Sequence, residues 1–270
     1  MRVLVTRPAA QAADWVHALA ARGLDAVALP LLGIEGPPDP QAVTDAWRGL
    51  AQRRLVVFVS PNAVEQFMAL RPAGLAWPAG TLAGSPGPGT TRVLVAAGVP
   101  AAQVVAPAAE AAQFDSESLW QQLAPHDWRG ASVLVVRGES GRDWLADTLR
   151  AQGATLDFVC AYRRAAPQPD AAQRAVLAQA QARPAQHLWL FSSSEAIGQL
   201  QALAPGGWTA RALALATHPR IAERAQAAGF AHVWSSRPEQ DAVVACIQSI
   251  GKPVENPIEP AAEPSAPDLP

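Results

Sequence analysis

Cysteine is almost missing from this chain. Cys160 and Cys246 are the only two in 270 residues. That excludes a disulfide framework, and with no partner at metal-ligand spacing both read as buried core thiols. Net charge is nearly absent as well, at -2, which leaves no basic field to gather nucleic acid or hold an anionic membrane. Any anionic ligand must therefore be met by local groups. Long apolar runs are lacking: Leu188 to Phe191 and Val133 to Val136 fall far short of the roughly 20 residues that cross a bilayer. No charged, apolar and small-residue signal segment precedes Val3, so a cytoplasmic protein without membrane attachment is expected. The histidines His17, His126, His187, His218 and His232 show neither triad nor metal spacing, and no metal is expected.

What the chain does contain is a repeat. At 270 residues it exceeds the usual single-domain size, so two domains read better than one large α/β domain. "RVLVTRPAAQAADWVHALAARGLDAVALPLL" from Arg2 and "SVLVVRGESGRDWLADTLRAQGATLDFVCAY" from Ser132 align without a gap at an offset of 130. Arg7 then falls on Arg137, Leu19 on Leu149 and Gly23 on Gly153. Each copy reads as strand, loop, amphipathic helix, glycine stop and second strand. "FVSPNAV" from Phe58 lies on "FSSSEAI" from Phe191 at an offset of 133, and Gly98 on Gly229. Duplicated βα units imply two similar α/β domains with parallel sheets, whose ligands sit beyond the carboxyl ends of the strands. The repeat alone would divide the chain near residue 128. From about Lys252 the segment "KPVENPIEPAAEPSAPDLP" is too rich in proline and acid to build a core, and residues 253–270 are expected to be a disordered tail.

"LAGSPGPGTTRVLVAAG" from Leu82 brings glycines and a helix start to a strand end, which suits an anion. A nucleotide phosphate loop would require lysine where Thr90 stands. A dinucleotide fingerprint would require G-x-G-x-x-G and an acid about 20 residues on, and neither is present. A receiver-type phosphoacceptor would require clustered acids, whereas the first strand ends in Thr6-Arg7.

"VLVTRP", "VVFVSPNAV", "GPGTTRVLVAAG", "VLVVRGESGRDWLADTLRAQGA" followed by "CAYRRAAP", and "LFSSSEAIGQL" together resemble the uroporphyrinogen-III synthase family over roughly residues 1 to 250. The resemblance implies two flavodoxin-like α/β domains with parallel sheets flanked by helices, joined by two linker strands around an active-site cleft. It moves the boundaries to 1–36 plus 165–252 for one domain and 37–164 for the other. The implied enzyme uses no cofactor. It dehydrates and cyclises the linear tetrapyrrole hydroxymethylbilane to uroporphyrinogen III, inverting ring D through a spiro intermediate. A monomer is expected, in transient contact with porphobilinogen deaminase.

On the residues alone Tyr162, the sole tyrosine, reads as a sheet-end residue at a linker. The resemblance makes it the group that assists hydroxyl departure, through a phenol protonated at neutral pH. Thr90, with Gly87 and Gly89 allowing close approach, matches the family's loop threonine and would also serve in an ordinary helix start. Ser60 and Ser193 are expected to cap helices and donate to substrate carboxylates. Arg7 and Arg137 sit at matching strand ends, with Arg142 and Arg163 as weaker candidates. The chain departs from the family pattern at "ATHPRIAER", where His218, Pro219, Arg220 and Ile221 stand in place of a second glycine-threonine loop; Arg220 is one candidate substitute. The alternative class is a non-catalytic two-domain tetrapyrrole-binding or regulatory protein.

Overall fold

The apolar runs become strands covered on both faces. In the computed structural model, which describes residues 1–250, β1 (Arg2–Val5) turns Leu4 into one layer of core and Val3 and Val5 into the other. Its neighbour β9 (His187–Phe191) divides Trp189 and Phe191 from Leu188 and Leu190 in the same way. Side chains alternate along a strand, so a strand with core on both sides needs no polar face and reads as a continuous apolar run.

The first sheet runs β2 (Ala26–Ala28), β1, β9, β10 (Leu213–Ala216) and β11 (His232–Ser235), all parallel. Helices α7 (Ala171–Ala182), α8 (Ser194–Leu203) and α9 (Pro219–Ala227) cover one face; α1 (Ala9–Ala20) and α10 (Gln240–Ile250) cover the other. The second sheet runs β8 (Thr155–Ala165), β7 (Ser132–Gly138), β4 (Leu55–Phe58), β5 (Leu82–Gly84) and β6 (Val104–Val105), also parallel. Here α2 (Pro40–Arg48), α3 (Pro61–Ala69) and α4 (Pro88–Ala96) lie on one face, opposite α5 (Ser116–Leu123) and α6 (Trp144–Ala151).

The sequence repeat maps onto the sheets strand by strand. β1-α1-β2 and β7-α6-β8 are the paired copies, and β4 to β6 correspond to β9 to β11. The first sheet therefore has the flavodoxin order and the second a circular permutation of it, with a switch point between β1 and β9 in one and between β7 and β4 in the other. The chain leaves the first sheet after β2 through β3 (Gly33–Glu35), which pairs antiparallel with the last residues of β8. The return to the first sheet follows directly from β8. The stretch expected to be a disordered tail lies outside the described residues.

Gly23 and Gly153, the matched helix stops, both adopt left-handed φ, +76° and +90°. Their surroundings differ: a Cβ at Gly23 meets nothing within 4 Å, whereas one at Gly153 comes within 3.2 Å of the Arg129 Cα. Gly23→Ala should therefore cost about 1–2 kcal/mol, the backbone penalty alone, and Gly153→Ala clearly more, as compared by denaturant midpoints.

Candidate active site

Parallel strands place the amino ends of the following helices at one edge of each sheet, and here the two edges face each other. The amino ends of α1, α3, α4, α8, α9 and α10 border a common cleft of about 1080 Å³, at the upper end of small-molecule sites, which run to about 1,000 Å³. Unpaired amides and the helix dipole make such ends favourable for negative charge.

The glycine-rich turn has a specific build. Ser85 Oγ donates to the Gly87 carbonyl at 2.9 Å and accepts from Thr91 Oγ1 at 2.9 Å. The amides of Thr90 and Thr91 return to the same carbonyl. Pro88 has no amide proton, so among the described residues the Gly89 N–H is the amide of this first turn left free for a ligand. Gly87 is extended, and its need for glycine is steric: a Cβ would lie 2.9 Å from that of Phe114. Gly89 is open, with Pro61 Cγ nearest at 3.7 Å. Thr90 borders the cleft although its residue surface is only 3% exposed.

Ser60 caps α3, accepting from the Ala63 amide at 3.3 Å, and borders the cleft. Its Oγ lies 3.3 Å from Tyr162 Oη. Tyr162 itself is fully buried and does not line the cleft. A register shift puts it opposite Gly138, where a Cβ would come within 3.0 Å of its ring, so the missing side chain makes room for the phenol. Arg164 donates to the same oxygen at 3.4 Å. Ser193 caps α8 by accepting from the Glu195 amide at 3.2 Å, while Ser192 and Ser194 are the serines of that loop that line the cleft.

The matched arginines part company. Arg7 lines the cleft with its guanidinium 4.3 Å from the centre of the Trp15 ring. Burial, and secondarily the charge of Arg92, lower its pKa to about 10. Arg137 lies away from the cleft, paired with Asp143 and donating to the Gly141 carbonyl at 3.1 Å. The physical reason is local: the loop after β7 brings its own acid within reach, and the loop after β1 holds none. Arg142 pairs with Glu117, and Arg163 with Glu35 at 3.3 Å.

At the departure from the family pattern, His218 caps α9: its Nδ1 accepts from the Arg220 amide at 3.1 Å, which puts the ring proton on Nε2. Arg220 lies exposed on the cleft wall, and Ile221 takes the place equivalent to Thr90. The sequence reading did not single out the contacts that join the two sheets' loops. Gln11 donates to Asn62 at 2.8 Å, Arg237 sits 4.9 Å from the Phe114 ring centre, and His218 Nε2 lies 3.8 Å from Asp115. Each links residues far apart in sequence and carries no motif.

Fold and site define a two-lobed, doubly wound α/β protein whose interlobe cleft offers amides, hydroxyls and guanidinium groups to an anionic ligand. A family model described as uroporphyrinogen-III synthase HemD matches residues 13–245. The uroporphyrinogen-III synthase of Escherichia coli K12 is 26% identical over 254 residues, covering 92% of this chain and all of that one. The Salmonella typhimurium LT2 enzyme is 27% identical over the same span. A mutant uroporphyrinogen III synthase of Thermus thermophilus shares the fold with TM-score 0.56 at 20% identity, covering 93% of this chain and 97% of that one. The Helicobacter pylori 26695 enzyme does so with TM-score 0.54 at 15% identity, covering 93% and 100%. The chain belongs to the uroporphyrinogen-III synthase family, cyclising hydro-lyases of tetrapyrrole biosynthesis, and not to a non-catalytic binding class.

Burial, with help from Arg220, holds the His218 imidazole below its ordinary 6.5, against the opposing pull of Asp115 and Glu117. Protonation would also sever the cap, because the Nδ1 lone pair is in use. The native state therefore binds this proton less readily than the unfolded chain. The contribution of the neutral ring to stability is complete above about pH 6.5 and declines as pH falls through the native midpoint. NMR titration should place that midpoint below 6.5, and His218→Asn, which can still cap, should remove this part of the acid-side loss in a melting series.

Proposed function

We propose that this cleft folds hydroxymethylbilane so that its end rings meet, and releases uroporphyrinogen III with ring D inverted. The convergence of helix amino ends from both sheets on one cleft carries the reading. The substrate's acetates and propionates are spread around a flexible chain, and dispersed N–H and O–H donors suit them better than a single phosphate cradle.

Hydroxymethylbilane loses its hydroxyl to give an azafulvene. The substituted carbon of the far ring attacks it, and the resulting spiro intermediate fragments and recloses inverted. Since the substrate also cyclises unaided to the uninverted isomer, orientation is the enzyme's main task, and fixing the reacting ends can supply several kcal/mol. The Gly89 amide, Thr90, Ser60 and Arg7 would hold carboxylates, with Gly87 keeping the turn close to Phe114 and the loop of Ser193 contributing through its neighbours. Arg220 would serve where the second glycine-threonine loop is missing. Arg137 would stay engaged with Asp143 and shape its loop. Tyr162, linked to the cleft by Ser60, would lend a proton to the departing hydroxyl through that serine.

A division into domains at 1–36 plus 165–252 and 37–164 draws support from the two sheets, with β3, which pairs with the end of β8 in the second sheet, as part of the connection. Free thiols at Cys160 and Cys246 suit a reducing cytoplasm. A substrate that cyclises by itself favours direct handover from porphobilinogen deaminase.

With hydroxymethylbilane generated in place by the deaminase, the protein should yield predominantly isomer III once products are oxidised and separated by chromatography. Isomer I alone, from folded protein, would overturn the reading. In the same assay Tyr162→Phe should slow turnover by about ten- to a hundredfold and still form isomer III.

A further inference from the structure

Two arginines line the cleft from different lobes, and among the described residues neither is paired with an acid. Arg7 follows β1 in the first lobe, and Arg92 projects from α4 in the second. Arg7 Nε is shut off from solvent and has no hydrogen-bond partner, while Trp15 beneath the guanidinium fixes where that group lies. Among the described residues neither arginine joins an ion pair, whereas Arg22, which also lines the cleft, pairs with Asp241. The acids that share the cleft do not neutralise them. Burial, and secondarily the charge of Asp14, push the Glu65 carboxyl above its ordinary range, while Asp241 pairs with Arg22 and Glu239 with Arg237.

We propose that Arg7 and Arg92 form a two-sided clamp for one substrate carboxylate, which bridges the lobes and draws them together over the bound chain. The inference rests on the tetrapyrrole reading above and deepens it by naming what closes the cleft. A half-buried guanidinium whose Nε is cut off from solvent, with a like charge across the cleft, is unfavourable in the empty protein, as the depressed Arg7 pKa also indicates. A planar carboxylate between two guanidinium groups converts that repulsion into two charge-assisted contacts. The cost held in the empty cleft thus becomes affinity for the anion. Because one arginine belongs to each lobe, bound and closed states are coupled.

The test uses the full chain with uroporphyrinogen III, prepared by reduction and kept anaerobic, in titration and thermal-shift measurements beside the isomer assay. Arg7→Gln and Arg92→Gln should each weaken binding by about ten- to a hundredfold, the usual value of a charge-assisted contact, and lower the ratio of isomer III to isomer I. Without ligand, Arg7→Gln should melt no lower than the wild type, whereas an arginine needed only to pack on Trp15 would melt lower on removal. Arg92→Lys should restore part of the affinity. Arg92 is exposed, so its variants keep the test valid if Arg7→Gln fails to fold. Binding by both glutamine variants within twofold of a wild type that still makes isomer III would overturn the clamp alone. A wild type that neither binds uroporphyrinogen III nor makes isomer III would overturn the tetrapyrrole reading and the clamp with it.

Discussion

Everything at the cleft depends on the parallel pairing of the strands. A parallel sheet requires a crossover after each strand, and those crossovers cover both faces with helices, closing them to any ligand. What remains open is the edge where strands end and helices begin, which is also where unpaired amides accumulate. Two such sheets set edge to edge turn that shared property into a single site. Its electrostatic preference for anions comes from backbone geometry before any charged side chain is considered.

Side chains then refine this field. Among residues 1–250 no lysine occurs, so cationic contacts beyond the chain's own amino terminus fall to arginine or protonated histidine. Most arginines near the loops are already neutralised by acids of their own lobe. Those left over, Arg7, Arg92 and Arg220, are on the cleft wall. Neutral donors from Ser60, Thr90 and the Gly89 amide surround them, an arrangement suited to several separated carboxylates. Tyr162 sits behind this wall, its phenol within 3.3 Å of Ser60, which lines the cleft.

Polar contacts join the loops of the two lobes. Two strands connect the sheets, and the loops touch through Gln11 and Asn62, Arg237 and Phe114, and His218 and Asp115. Such contacts cost little to break compared with the apolar layers that hold each lobe rigid. Relative motion of two stiff bodies is what a cleft that must admit and then orient a flexible chain requires.

Much of the fold was legible because its signals are local. Apolar runs, glycine helix stops and the offset that lays Arg2 on Ser132 all act within a few residues, and they placed the paired units before any contact was known. The same local logic found Arg7, Ser60, Gly87, Gly89 and Thr90 at strand ends. It could not distinguish Arg7 from Arg137, because the acid that withdraws Arg137 acts through the shape of its own loop. Nor could it find Arg92, Trp15, Phe114 or Asp115, whose partners lie across the cleft or on a neighbouring element. By itself, then, the sequence determined the duplicated βα units and the strand-to-helix loops, since backbone propensity and side-chain periodicity are properties of neighbours along the chain; which units share a sheet was decided by the tertiary fold. Only the tertiary structure decided which cations stay unpaired and where the phenol is buried, because charge balance and burial depend on residues that folding alone brings together.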